Sequence, residues 1–253
     1  FSNKGRLIKA DKPIKFHFNG VQFTGYQGDT LASALLANGK LLLGRSFKYH
    51  RPRGVVSSGP EEPNFLVNLG KDNFFEPNQR GTMTNIFEGL TATSQNHFPS
   101  LEFDFGEINS WLARFLPAGF YYKMFIHPRP FWKYIYEPLI RMSAGLGQAP
   151  KAKDGSTYEH FHAFYDVVVV GGGIAGLQTA LVSGRSGTKV LLIEQHANWG
   201  GRAQIDEDEI DDAPVNSWVN KVLEELAAMQ NVSLRTRMTV SYTHLTLPTI
   251  AIV

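Results

Sequence analysis

The residues of this chain best suited to chemistry are a run of glycines and a carboxylate one strand further on. Asp166-Val-Val-Val-Val170 enters Gly171-Gly172-Gly173-Ile174-Ala175-Gly176, and a second apolar run, Lys189-Val-Leu-Leu-Ile193, ends on Glu194. Gly171, Gly173 and Gly176 fit the G-x-G-x-x-G spacing, and each has a physical task. Gly171 permits a tight turn, Gly173 lets backbone approach a diphosphate, and Gly176 lets a helix pack closely on its strand. Free amides at the helix start, with the helix dipole, favour phosphate charge there. Glu194 suits the hydroxyls of an adenosine ribose. Gly171, Gly172, Gly173, Ile174, Ala175, Gly176 and Glu194 are therefore candidate dinucleotide-binding residues, and the motif alone does not separate NAD from FAD. Gly200, Gly201 and Arg202 follow. Such a Gly-Gly loop lies near the cofactor in two-dinucleotide oxidoreductases, where Arg202 meets phosphate or ribose; otherwise it is a surface arginine after a tight turn.

These groups need a strand–helix–strand unit to hold them. The pattern predicts a strand over 166–170, a helix over 174–186 stopped by Gly187, and a strand over 189–194. Trp218 to Met229 reads as an amphipathic helix with Ser217 as its cap, and Val232 to Thr236 as a third strand reaching towards Val240. The end of that strand sits beside the adenine in this fold. The expected class is α/β, the start of a Rossmann-like dinucleotide-binding domain. A doubly wound sheet is normally completed by about five or six strands, so the domain is expected to be cut short. Ser241 to Ile250 resembles a translated sequencing-adaptor tail and is expected to be non-native. The polar start, Phe1 to Arg6, does not suit a signal peptide, and without an initiator methionine it suggests a fragment.

The front of the chain reads as a β-grasp module. Ile14-Lys-Phe-His-Phe18 and Val21-Gln-Phe-Thr24 alternate about an Asn19-Gly20 turn, and a helix capped by Asp29 or Thr30 runs to a stop at Gly39. The loop from Gly44 to Asn64 carries Arg45, Lys48, His50, Arg51 and Arg53 before any acid; a solvated charged loop is its ordinary reading, and contact with an anion or partner the other. Between Trp111 and Tyr136 lie Phe115, Phe120, Tyr121, Tyr122, Phe125, Phe131, Trp132 and Tyr134, with Pro117, Pro128 and Pro130 excluding one continuous helix. So many aromatics suit a packed core, a face for another subunit, or a mixture of both. Ala149 to Tyr158 reads as a linker. Asp206 to Asp212 reads as a solvated acidic loop, without a recognised metal-ligand spacing around Ile205 and Ile210. The expected division is a β-grasp domain over 1–100, an aromatic connecting segment over 101–160, a nucleotide domain over 161–240 and a tail over 241–253.

Composition narrows the function further. A chain of 253 residues with 43% hydrophobic content can bury a core, and a net charge of +2 offers no argument for nucleic acid. With no cysteine, disulfides, thiolate-held metals and clusters, and cysteine nucleophiles are excluded, which suits a cytoplasmic protein. No run approaches about 18 apolar residues, so no membrane span is expected. His17, His50, His97, His127, His160, His162, His196 and His244 are scattered, and no catalytic acid, base, nucleophile or metal ligand is assigned.

Beyond the fingerprint, Gly28 to Gly39, Gly44 to Gly54, Ser58 to Asn64, Pro117 to Lys123 and Tyr136 to Arg141 resemble the alpha subunit of heterotetrameric sarcosine oxidase, over residues 5 to 240. The resemblance implies a ferredoxin-like β-grasp domain without its cluster, and an enzyme that demethylates sarcosine to glycine with O2, giving H2O2 and 5,10-methylenetetrahydrofolate. It implies NAD in the alpha subunit, FMN at the alpha–beta interface, FAD in beta, and beta, gamma and delta partners. Sarcosine and tetrahydrofolate would bind outside this stretch, which alone would be inactive. By motif position it places NAD contacts on Ala175, Glu194, Gln195, His196, Arg202 and about Val240. Gln195-His196 stands where the family often has acid-Arg, and Arg202 where it often has a smaller residue. Alpha subunits of FAD-dependent proline, opine and glycine dehydrogenases share the layout but commonly carry a cysteine-bound cluster. A non-catalytic assembly module is the remaining alternative.

Overall fold

The computed structural model describes residues 8–115, 119, 127–143, 147–158, 162–204 and 209–240. The chain divides into two compact units, Phe1–Tyr158 and Glu159–Val253. The expectations placed on Phe1 to Arg6, on Pro117 and Phe120 to Phe125, on His160, on Ile205 to Asp208 and on the tail after Val240 lie outside the described residues.

In the first unit, strands β1 (Lys9–Phe18) and β2 (Val21–Gln27) pair antiparallel across Asn19-Gly20, whose φ values of 50° and 80° are those of a primed hairpin turn. Helix α1 (Leu31–Ala37) begins with a reciprocal capping box between Thr30 and Ser33 and buries Leu31, Ala34 and Leu35. Two short strands follow, β3 (Gly44–Arg45) and β4 (Pro52–Arg53), then β5 (Leu66–Leu69), β6 (Glu76–Arg80) and β7 (Thr91–Ser94). The five-stranded sheet has the order β2-β1-β7-β5-β6, with β1 and β7 parallel. Phe16, Phe18, Leu31, Leu35, Leu43, Phe65, Val67 and Leu101 form its core.

The basic loop corrects the sequence-based expectation of a solvated run. Arg45 and His50 are buried. The Arg45 guanidinium donates to the carbonyls of Leu101 (2.9 Å), His50 (2.9 Å) and Glu102 (3.1 Å), and to the Glu107 carboxylate at 3.1 Å. His50 Nδ1 lies 2.6 Å from Asp104, whose other oxygen accepts the amides of Phe98 and Gly106. Buried Glu62 accepts the amides of Val56, Ser57 and Asn64. A long irregular loop contains backbone polar groups that must be paired when covered, and these side chains pair them.

Among the described residues of the aromatic segment, Trp111, Phe115, Phe131, Trp132 and Tyr134 are exposed. Helix α2 (Ile108–Trp111) precedes a helical run built from α3 (Arg129–Phe131), a π turn over Trp132–Tyr136 and α4 (Glu137–Ser143). Pro128 and Pro130 sit at the start of that run, where a missing N–H is harmless. Pro138 withholds a donor just after the π turn.

In the second unit, β8 (Val167–Val170), α5 (Ile174–Arg185), β9 (Val190–Ile193), a hairpin of β10 (Glu209–Ile210) and β11 (Ala213–Pro214), α6 (Val215–Ala228) and β12 (Val232–Arg235) follow in turn. The three long strands are parallel in the order β12-β9-β8. Leu177, Ala180 and Leu181 of α5 and Val219, Val222 and Leu226 of α6 close over Val190 and Leu192. Two expectations change. The described end of the acidic run is a hairpin, because Asp211 and Asp212 accept φ values of 53° and 56°. Helix α6 starts at Val215 with Pro214 in the cap position, so Ser217 lies inside the first turn and is not the cap.

Candidate functional site

The site grows from the end of β8. Gly171 turns the chain with φ +103°, in the left-handed region a side chain would strain. Gly173 occupies the N-cap of α5 and offers no side chain to the free amides of the first turn. A β-carbon at Gly176 would stand 1.8 Å from the carbonyl oxygen of Gly171, so only glycine lets α5 approach its strand. A β-carbon at Gly173 would meet nothing within 4 Å. The turn is thus closed by protein behind Gly176 and open in front of Gly173.

The opening is a cavity of about 760 Å³, within the roughly 300–1,000 Å³ usual for small-molecule and cofactor sites. Val170, Gly171, Gly173, Ile174, Ala175 and Gly176 line one side; Gly200, Arg202 and Ala203 line a second; Glu209, Ile210 and Val215 complete it. The Gly200 amide donates to the carbonyl of Gly172 at 2.7 Å, and Gly173 and Gly200 pair as a parallel bridge. That bridge brings the Gly-Gly loop against the glycine turn, though Gly173 and Gly200 stand 27 positions apart in sequence.

The other expected residues do not line this cavity. Glu194 is buried at the end of β9: Oε2 accepts the Gly172 amide at 2.6 Å and Oε1 the His196 amide at 2.8 Å. Gly172 is backed by the Trp199 ring, and Gly201 lies against Gly173. Gln195 is exposed and His196 half-buried, its carbonyl accepting the Arg237 amide. Val240 stands near the surface beyond β12. Residue types and spacing did not point to Trp199 or to the hairpin wall at Glu209 and Ile210; two adjacent aspartates able to turn left-handed were the only signal for the hairpin.

Among the described residues, no group of three His, Asp or Glu side chains is placed to hold a metal, and no helix is long and apolar enough to cross a membrane. Arrangement and burial suit a ligand held mainly by backbone amides, with the carboxylate behind them fixing the turn.

Two family models match the chain: a 2Fe-2S iron-sulfur cluster binding domain over residues 11–97, and an FAD dependent oxidoreductase over residues 166–247. Sarcosine oxidase subunit alpha of Rhizobium meliloti (strain 1021) is 47% identical over 236 residues, 93% of this chain and 24% of that protein. Its counterpart from Corynebacterium sp. (strain U-96) is 30% identical over 240 residues, 93% of this chain and 20% of its own length. In fold, the chain is similar to L-proline dehydrogenase from P. horikoshii, with a TM-score of 0.52 and 18% identity over 90% of this chain and 34% of that one. The chain therefore spans about a quarter or less of the curated relatives it matches. A thiolate-held cluster finds no ligand here, because the sequence contains no cysteine. Along nearly its whole length, the chain is a homologue of the alpha subunits of sarcosine oxidase, an oxidoreductase.

Proposed function

We propose that the second unit is the beginning of a Rossmann-like domain that holds the ADP half of a dinucleotide at the glycine turn. The observation that carries this is the open space before Gly173, set against the close contact behind Gly176. The amides of the first turn of α5 take the diphosphate; Gly171, Gly172, Ile174, Ala175, Gly200, Gly201 and Arg202 surround it. Glu194 serves the ribose from behind the turn, with Gln195, His196 and Val240 towards the adenine. Glu194 already accepts two amides; each carboxylate oxygen has a second lone pair for a ribose hydroxyl.

The ligand proposed here is NAD, from the likeness to the sarcosine oxidase subunits, with FAD the alternative in view of the FAD dependent oxidoreductase match. Bound FAD would supply two-electron flavin chemistry, whereas an NAD that does not turn over would supply none. This chain's own residues bind and orient. They hold no assigned acid, base or nucleophile, so oxidation belongs to other parts of the assembly. The whole protein is proposed to take part in converting sarcosine, O2 and tetrahydrofolate to glycine, H2O2 and 5,10-methylenetetrahydrofolate in the cytoplasm. FMN lies between alpha and beta, FAD in beta, and gamma and delta complete the assembly. The first unit, without thiolates, is proposed as a ferredoxin-like fold that carries no cluster.

Releasing the small molecule from purified protein by denaturation tests the ligand. An ultraviolet nicotinamide–adenine spectrum supports NAD, visible flavin absorption supports FAD, and neither, from a protein that also takes up neither, removes the proposal.

A further inference from the structure

We infer that Phe98 to Trp111, with the neighbouring loop at Arg51 and Arg53, forms the face on which a second, acidic polypeptide chain docks. The inference rests on the proposal that the chain works as a subunit, and it names the surface and the chemistry of its partner.

Phe98, Phe103, Phe105, Ile108 and Trp111 are 69%, 62%, 60%, 56% and 84% exposed. Three of these rings already touch: Phe103 meets Phe105 edge-on at 5.2 Å, and Phe98 lies 6.2 Å from Phe105. A cluster of rings packed on each other yet open to solvent is unusual on a monomer and common at the centre of an interface.

The rings sit on a rigid mount. Between Phe103 and Phe105, Asp104 points inward to His50, while Arg45 grips the carbonyls of Leu101 and Glu102. A β-carbon at Gly106 would stand 2.2 Å from the His50 ring, which fixes how closely this segment lies on the loop. Anchors held in place before binding lose less conformational entropy when a partner arrives.

Charge then selects the partner. Each carboxylate of the segment is answered from within the chain: Glu102 by Lys40 at 2.5 Å, Asp104 by His50 at 2.6 Å and Glu107 by Arg45 at 3.1 Å. Arg51 is tied to this face by a bond from Nε to Ser110 Oγ, and lies over the Tyr49 ring. Among the described residues neither Arg51 nor Arg53 has a carboxylate partner. The face therefore offers apolar anchors with the uncompensated guanidinium of Arg51 beside them, complementary to an apolar patch with an acidic rim. A lipid surface fits less well, since α2 is a single turn and no long amphipathic helix lies here. Rings packed against one another also suit nucleic-acid stacking poorly.

The test co-expresses the full-length chain with the companion subunits of the proposed oxidase and measures their affinity and the nucleotide content in parallel. Phe103→Ser with Phe105→Ser, and separately Arg51→Glu, are expected to weaken companion binding about tenfold or more while leaving nucleotide uptake intact; Arg51→Lys is expected to restore most of the affinity. Unchanged affinity in both variants, beside a firmly bound unsubstituted chain, overturns the docking face. Failure of the unsubstituted chain to bind the companions overturns the subunit proposal and the face with it. Binding to phosphatidylserine vesicles that both variants abolish, without companion binding, reassigns the face to lipid and also overturns it.

Discussion

The Gly172 amide donates to the buried Oε2 of Glu194 at 2.6 Å, joining residues twenty-two positions apart. One carboxylate thereby ties the glycine turn to the end of β9 and, through Oε1, to the His196 amide. Glu194→Ala leaves two covered amides without an acceptor, and a loss of about 1–3 kcal/mol is expected for that kind of orphaned group. Glu194→Gln keeps one acceptor but turns an N–H₂ towards the other amide, so it recovers only part of the loss. Urea unfolding of the three proteins checks this order; equal midpoints would show that the carboxylate does not hold the turn.

Gly173 and Gly176 separate ligand binding from folding. Gly173 has φ −74°, ordinary for any residue, and open space where a β-carbon would go. Gly173→Ala is expected to change stability by less than about 0.5 kcal/mol and to obstruct the diphosphate. Gly176→Ala forces a methyl against the Gly171 carbonyl, and a destabilisation of about 1–3 kcal/mol or more is expected from such overpacking. Thermal unfolding with and without added nucleotide tells them apart. The opposite pattern, an unstable alanine at 173 and a harmless one at 176, contradicts the geometry.

Arg45 holds the first unit together in a way that lysine does not reproduce. Its side chain is 2% exposed and its planar fork reaches three carbonyls and a carboxylate. Arg45→Met strands the covered carbonyls while leaving the half-exposed Glu107 to water, and a loss of about 1–3 kcal/mol or more is expected for such orphaned acceptors. Arg45→Lys should rescue little, because an ammonium cannot span the same fork. Denaturant unfolding followed at the first unit measures both; a loss under about 1 kcal/mol for Arg45→Met would remove the assigned role.

Two groups give the first unit a shared dependence on pH. Burial pushes the His97 imidazole below its ordinary value, only partly offset by the charge of Asp104. Burial also raises Asp104, but the amides of Phe98 and Gly106 and the contact with His50 outweigh it, leaving its carboxyl below the ordinary range. Both groups hold fewer protons folded than unfolded, so stability rises with pH through each titration. For His97 the contribution is complete above about pH 6.5 and is lost as pH falls below that; for Asp104 the loss begins below about pH 4. Unfolding midpoints should therefore be lower at pH 5 than at pH 7, and His97→Gln should flatten that difference. An unchanged slope in the variant contradicts the assignment.

Local spacing made part of this legible in advance. The turn at Gly171 to Gly176, the Asn19-Gly20 hairpin and the cap at Thr30 each depend on residues a few positions apart, and the structure places strand, turn and helix there. Arg45 and His50 read as a solvated run because their partners, Leu101 and Asp104, lie over fifty residues away. Only the fold brings those groups together. The hairpin wall at Glu209 was hidden for a related reason, since an acidic run carries the same sequence pattern whether it turns back or stays open. Pro214 shifted the start of α6 because proline suits a helix entrance without a side-chain cap.

The most direct test titrates folded full-length protein, stripped of bound nucleotide, with NAD and with FAD by calorimetry, beside its Gly173→Ala variant. The account predicts saturable uptake of one dinucleotide per chain, lost in a variant whose melting temperature is unchanged. Uptake of neither ligand by the folded protein, or undiminished uptake by the variant, would contradict it.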